Sequence, residues 1–192
     1  MECLVLGKLK IMDRKKFMKT TGVGMGLTLL PGVLLGQPQQ FLQAFSSKNE
    51  PKVIKDTDGE VLNVIGDIQT HKLVGTDTNG QIVEWVDNVA PGAGIPPHIH
   101  TKEDEIFRVV KGQVEIVVDG NSTILNQGDI AFAPKGISHS WKVVGSEKAK
   151  MITSAFPAGI EFMFQELAQL PEGPPNFEKV AEICGRQGIR FV

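Results

Sequence analysis

From Val61 to Phe156 the chain sets short apolar runs between Gly, Pro, Asn and Asp punctuation. Many of the runs alternate apolar with polar residues, the period-2 pattern of strands buried on one face. Val114-Glu115-Ile116-Val117-Val118 is followed by Asp119-Gly120-Asn121, a hairpin signal, and then by Ser122 to Leu125 as the return strand. Similar turns fall at Asn79-Gly80, Gly112, Gly128-Asp129 and Gly145. A succession of short strands with tight turns and no helical period between them predicts an all-β fold, an antiparallel barrel or sandwich, and argues against an α/β one. After Pro157 the period lengthens. Ile160, Phe162, Met163, Phe164, Leu167 and Leu170 suit one helix, and Phe177, Val180, Ala181, Ile183 and Cys184 a second. Pro171-Glu172-Gly173-Pro174-Pro175 separates them, and Gly185 and Gly188 are the expected stops of the second.

The first 36 residues have another texture. Met12 to Lys19 is basic, and Thr21 to Gly36 is apolar but interrupted by Gly22, Gly24, Gly26 and Pro31. This is the order of an export signal, and the apolar part is too short and too broken to persist as a membrane span. Asp13-Arg14-Lys15-Lys16-Phe17-Met18-Lys19 resembles the twin-arginine export motif, with Lys15 in place of the second arginine and Asp13 in place of the usual Ser/Thr. That route and ordinary secretion both predict an exported, periplasmic domain. The polar stretch that follows reads as a linker or N-terminal arm. The expected organisation is therefore residues 1–36 export signal, 37–60 arm, 61–156 barrel and 157–192 helical C-terminal extension.

With 41% hydrophobic and 22% charged residues, the 192-residue chain suits one soluble globular domain. Residues 1–36 carry six Lys/Arg and two acidic side chains, and the remainder carries 14 basic and 20 acidic, a net of −6. An acidic body without a basic cluster repels phosphate, which argues against a nucleic-acid partner. Cys3 falls in the export segment and Cys184 stands alone near the other end, so the mature domain is expected to hold by packing and a metal, without an internal disulfide. Cys184 itself reads as a small core residue of the last helix. Tyrosine is absent, which excludes it as nucleophile or acid.

Histidine carries the candidate chemistry. His98, His100 and His139 fall within 42 residues, and His98-Ile99-His100 puts two imidazoles on one face of an extended strand. Glu105 opens the apolar run that follows and can bring a carboxylate alongside, with Glu103 and Asp104 as competitors for that position. His139 follows the turn at Ala133-Pro134-Lys135-Gly136, from which a returning strand can deliver a third imidazole. Imidazoles with one carboxylate suit Fe, Mn, Ni, Cu or Zn as a single divalent ion with positions left open. His71 lies far from these residues and reads as an ordinary strand position.

The spacing is specific. Gly92, five residues, His98-Ile99-His100, four residues, Glu105, six residues, Gly112 resembles the first motif of the cupins. Gly128, five residues, Pro134, then Gly136, two residues and His139 resembles the second, after a 15-residue gap. One departure is Val143, where the second motif has Asn at a position that binds no metal in the family. The resemblance, over about residues 61 to 156, implies a double-stranded β-helix barrel, a metal centre of His98, His100, Glu105 and His139, and commonly a homodimer. It favours Glu105 over its acidic neighbours.

The fold family hosts many reactions and does not choose among them. A redox metal with open sites can coordinate an enediol or phenolate together with O2, and Glu105, as ligand or as neighbouring base, is the candidate catalytic residue that accepts the hydroxyl proton. The expected pocket is apolar, walled by Ile95, Phe107, Val109, Phe132 and Trp141, with the helix around Phe162 to Phe164 over its mouth. A sugar isomerase would need convergent basic groups, and only Arg108, Lys111 and Lys135 are near the motifs. The leading reading is quercetinase-like dioxygenation of a small enolic or phenolic substrate. The alternative is a non-catalytic module that binds a metal or small ligand.

Overall fold

Along β10 (Ala149–Phe156) every second side chain, Ala149, Met151, Thr153 and Ala155, is buried, and the residues between them are partly exposed. That period-2 burial needs a partner layer on one side only. The computed structural model describes residues 50–171 and 173–192; the segment read as an export signal and residues 37–49 of the arm lie outside the described residues. Eleven strands are found in the described part. They are β1 (Glu60–Val64), β2 (Asp67–Leu73), β3 (Val83–Val89), β4 (Gly94–His100), β5 (Asp104–Lys111), β6 (Gln113–Val118), β7 (Asn121–Leu125), β8 (Ile130–Ala133), β9 (His139–Val144), β10 and β11 (Ile189–Phe191). Their order is β1-β2-β3-β10-β5-β8 in one sheet and β11-β4-β9-β6-β7 in the other, with every pairing antiparallel. The expected all-β barrel is what the chain forms.

The hairpin read at Asp119-Gly120 joins β6 to β7, with φ of 52° and 75° at its two central residues, as a type I′ turn requires. Gly94 is needed for a different reason. A Cβ there would collide with the Trp141 carbonyl of β9, so only glycine lets β4 and β9 approach this closely.

Two apolar clusters fill the space between the sheets. One gathers Phe107, Val109, Val114, Ile116, Leu125, Trp141, Val143 and Met151 with their neighbours. The other joins Val64, Val83, Trp85 and Ala155 to the C-terminal extension through Ile160, Met163, Phe164, Leu167, Val180, Ile183 and Cys184. The departure at Val143 has a simple account here: the residue is 1% exposed in the first cluster, where an apolar side chain packs.

The extension differs from the sequence reading in detail. A single helical turn, α1 (Gly75–Thr78), interrupts the strands between β2 and β3; it is too short to show a helical period. Next come α2 (Glu161–Leu167) and α3 (Phe177–Gln187). Asn176 caps α3, its side chain accepting from the Lys179 N–H at 3.1 Å. Gly185 does not stop α3; Val180, Ile183 and Cys184 bury the face around it and offset the roughly 1 kcal/mol that a helical glycine costs. The stop is Gly188, in the left-handed region with φ 89°. Immediately after it, Ile189-Arg190-Phe191 joins the second sheet as β11 beside β4, a strand too short to be read from alternation. Phe162 and Phe177, counted as helix core by period, are 60% and 77% exposed, Phe177 at the edge of the cavity described below.

This packing predicts a contrast. Ile183→Ala should cost about 2–4 kcal/mol in urea unfolding by leaving a cavity, whereas Phe177→Ala should cost under about 0.5 kcal/mol. Equal losses would contradict the assigned helix faces.

Candidate metal centre

β4 carries His98 and His100 two residues apart, so both imidazoles face the barrel interior, at 6% and 2% exposure. Its neighbour β9 sets His139 directly opposite His98 in register. The turn before β9 is tied back to β4, because the Gly136 N–H donates to the His100 carbonyl at 2.7 Å. Glu105 reaches the same point from β5, in the opposing sheet, with its side chain buried. One ligand atom from each of His98, His100, Glu105 and His139 lies within 4.8 Å of every other, and all four residues are buried.

Hydrogen bonds behind the imidazoles aim their free nitrogens. A Pro96 carbonyl 2.8 Å from His98 Nδ1 and an Ile137 carbonyl 3.2 Å from His139 Nδ1 each require the proton on Nδ1, leaving the Nε2 lone pair on the cluster side. His139 Nε2 then faces Glu105 Oε2 at 2.9 Å, and His100 Nε2 faces the same oxygen at 3.5 Å. Acceptors this close repel unless a proton or a cation lies between them, so the donor set fits a divalent transition metal held by three nitrogens and one oxygen.

The titration of the cluster follows from its crowding. Burial, with the neighbouring His139, pushes His98 down to about 4, so it stays neutral over the ordinary pH range. For His100 burial acts downward too, but the nearby carboxylates of Glu103 and Glu105 outweigh it and raise the pKa. Burial acts upward on Glu105, yet the close approach of His139 and the surrounding imidazoles bring it below its usual value.

Glu103 has a place that the sequence reading did not give it. It lies on the loop before β5 and is 3% exposed, with Oε2 3.5 Å from His100 Nδ1. It stands behind a ligand residue rather than in the ligand set, where it orients His100 and raises its basicity. Asp104 instead accepts the Lys135 N–H at 2.7 Å and closes the loop over β8. His71 is outside the cluster, 3% exposed and stacked near Trp85.

The cluster opens into a cavity of about 730 Å³ lined by His98, His100 and Glu105 together with apolar side chains. Of the residues expected to wall it, Ile95, Phe107 and Trp141 do so. Val109 and Phe132 do not. Val109 shares the inward face of β5 with Glu105 and Phe107 but is sealed in the first apolar cluster. Phe132 sits on the outward face of β8, 52% exposed and stacked parallel to Phe156 at 6.5 Å. Depth along β5 decides the first outcome and strand parity the second, the parity of β8 being set by its pairing with β5. From the extension Met163 and Phe164 line the cavity, while Phe162 turns away.

Comparison with known proteins agrees with this geometry. The cupin domain family matches residues 85–155, which contain all four cluster residues. The chain belongs to the cupin superfamily. It is 31% identical over 109 residues to oxalate oxidase GF-2.8 of Triticum aestivum, covering 53% of this chain and 48% of the relative. It is 30% identical over 143 residues to quercetin 2,3-dioxygenase of Bacillus subtilis (strain 168), covering 73% of this chain and 40% of the relative. The chain thus spans half or less of the length of these relatives. Among solved structures, KdgF from Halomonas sp. superposes with a TM-score of 0.51 at 18% identity, covering 59% of this chain and 99% of that one. An RmlC-like cupin from Shewanella frigidimarina gives 0.51 at 20% identity, with 60% and 99% covered. These likenesses establish the cupin fold, the double-stranded β-helix.

Two outcomes follow for metal binding. Because His100 is raised and must lose its proton to bind, metal uptake should release more protons at pH 6 than at high pH, read by calorimetry in buffers of different ionisation enthalpy. A count that does not change with pH would contradict this. Glu103→Gln should weaken metal affinity by about tenfold or more with the four ligands intact; an unchanged affinity would remove Glu103 from the site.

Proposed function

We propose that this cupin is a metal-dependent oxygenase that acts on a small enolic or phenolic substrate with dioxygen. The observation that carries the reading is the opening of a buried three-imidazole, one-carboxylate cluster directly into a large, mostly apolar cavity. Among the described residues that line it there is no Lys or Arg. A small dianion such as oxalate would ask for cationic partners, whereas a planar enol or phenol asks for apolar walls and a metal for its oxygen. The relative named quercetin 2,3-dioxygenase is therefore the better guide to chemistry than the relatives named oxalate oxidase.

In this reading His98, His100, His139 and Glu105 hold one divalent ion, which supplies a Lewis-acidic and redox-active centre for the enolate oxygen. The chain's own residues do the rest. Ile95, Phe107 and Trp141 exclude water and hold the ring. Pro96 and Ile137 carbonyls keep the imidazole nitrogens aimed. The Glu105 carboxylate accepts the substrate hydroxyl proton, a role suited to a carboxylate kept ionised by the imidazoles around it. The N-terminal sequence supports export to the periplasm as the place of action. Among the described residues no helix is long and apolar enough to cross a membrane.

The test is oxygen consumption with the flavonol quercetin in the iron, manganese, nickel and copper forms. At least one form should consume oxygen, Glu105→Gln should lower that rate by about a hundredfold or more, and oxalate should give none. No uptake in any form would overturn the oxygenase reading and leave a metal-dependent binding module.

A further inference from the structure

The inward face of the six-stranded sheet holds a group that the metal cluster does not use. On β2 the buried positions are Asp67, Gln69 and His71, and on β3 Trp85 and Asp87 are buried beside them. Polar side chains on the inner face of a barrel need partners, and these supply one another. His71 Nε2 donates to Gln69 Oε1 at 3.1 Å, and Gln69 Nε2 donates to Asp67 Oδ2 at 3.0 Å. Asp87 accepts from Trp85 Nε1 at Oδ1 and from Thr153 Oγ1 at Oδ2, both at 2.8 Å. Each Asp87 oxygen thereby has one donor. Asp67 Oδ1 is buried and has no donor.

The two carboxyl groups are buried neighbours on adjacent strands, and burial raises both toward the neutral form, Asp87 the further because the charge of Asp67 adds to it. Two adjacent carboxylates at 8% and 1% exposure cannot both stay ionised. One proton between them makes them a carboxyl–carboxylate pair. Asp67, Gln69, Trp85, Asp87 and Thr153 all border the same cavity as the metal cluster. β3 and β5 flank β10, where Asp87 pairs with Met151 and Glu105 with Ala155, so the two backbones are offset by two strand spacings across the sheet and four residues along it, about 16 Å in all.

We propose that Asp67 and Asp87 form a one-proton carboxyl pair that is a second polar subsite of this cavity, binding a hydroxyl group at the far end of a ligand whose near end meets the metal cluster. The inference rests on the cavity being the ligand site, as argued above. It narrows the ligand class to flat molecules with an oxygen function at both ends. Asp67 is the member that meets the ligand, since Asp87 is held by Trp85 and Thr153. The pair accepts a hydrogen bond at its carboxylate oxygen or donates its shared proton, while the apolar walls between the two subsites fix the spacing.

The test uses the full chain loaded with zinc, which keeps turnover out of the measurement, and two matched probes, 2-naphthol and 2,6-dihydroxynaphthalene. Trp85 and Trp141, the chain's two tryptophans, both border the cavity, so quenching of their fluorescence reports occupancy. In the wild type the dihydroxy compound should bind about tenfold tighter than 2-naphthol, the difference that one hydrogen bond to a charged group makes. Asp67→Leu should bring that ratio to about two or below, and Asp67→Asn, which keeps an acceptor and a donor, should retain most of it. A role confined to folding would shift both affinities together and keep the ratio. His98→Ala should weaken both probes but preserve their ratio. A wild-type ratio near one, with both probes bound, overturns the carboxyl-pair subsite and leaves the cavity reading standing. If neither probe binds the wild type, the cavity reading falls and the subsite with it.

Discussion

Three imidazole nitrogens and a carboxylate oxygen within 4.8 Å of one another, on side chains almost wholly shielded from water, form an arrangement that an apolar barrel does not tolerate without positive charge. Much of the surrounding structure serves to hold that arrangement. β4 is braced on one side by β9, which brings His139 opposite His98, and on the other by β11, which pairs along His98 to His100. Glycine at position 94 lets β4 and β9 close up, and the Gly136 N–H ties the next turn to the His100 carbonyl. Carbonyls of Pro96 and Ile137 hold two of the rings by Nδ1, and the carboxylate of Glu103 stands 3.5 Å behind the third.

The C-terminal extension is part of the same construction. α2 and α3 do not lie apart from the barrel; Met163, Phe164, Val180 and Cys184 supply cavity wall and core together, and the chain then returns as β11. Burial pushes the Cys184 thiol up to about 11, which suits a packed, unreactive side chain. The cavity consequently has chemistry at two places, a metal cluster on β4, β5 and β9 and a carboxyl pair on β2 and β3, with apolar side chains between them.

The sequence made the barrel legible because period-2 burial and tight turns are local signals, as at β6 and β7, and the metal ligands legible because residues two apart on a strand share a face. It was less informative wherever the outcome depends on which strand lies beside which. Phe132 and Val109 are apolar strand residues like Phe107, and only the pairing of β8 with β5 and the depth along β5 separate wall from surface and core. Asp67, Gln69 and His71 carried a readable sign, polar residues repeating at every second position, but alternation alone does not say which face is inside. Their neighbour across the strands, Asp87, is brought to them by the β2–β3 register. Glu103 was legible as a competitor for the ligand position, not as the buried neighbour of His100, because its burial depends on the fold of its loop against that ring. β11 was missed because three residues carry no measurable period.

The measurement that bears most directly on this account is the metal content of the full chain, purified without chelator or an immobilised-metal column, beside a variant with His98→Ala and His100→Ala. The account predicts about one equivalent of a divalent transition metal per wild-type chain and its loss in the folded variant, because the buried lone pairs have no other partner. Equal metal content in the two proteins, or a metal-free wild type that does not take up metal when it is supplied, would contradict it.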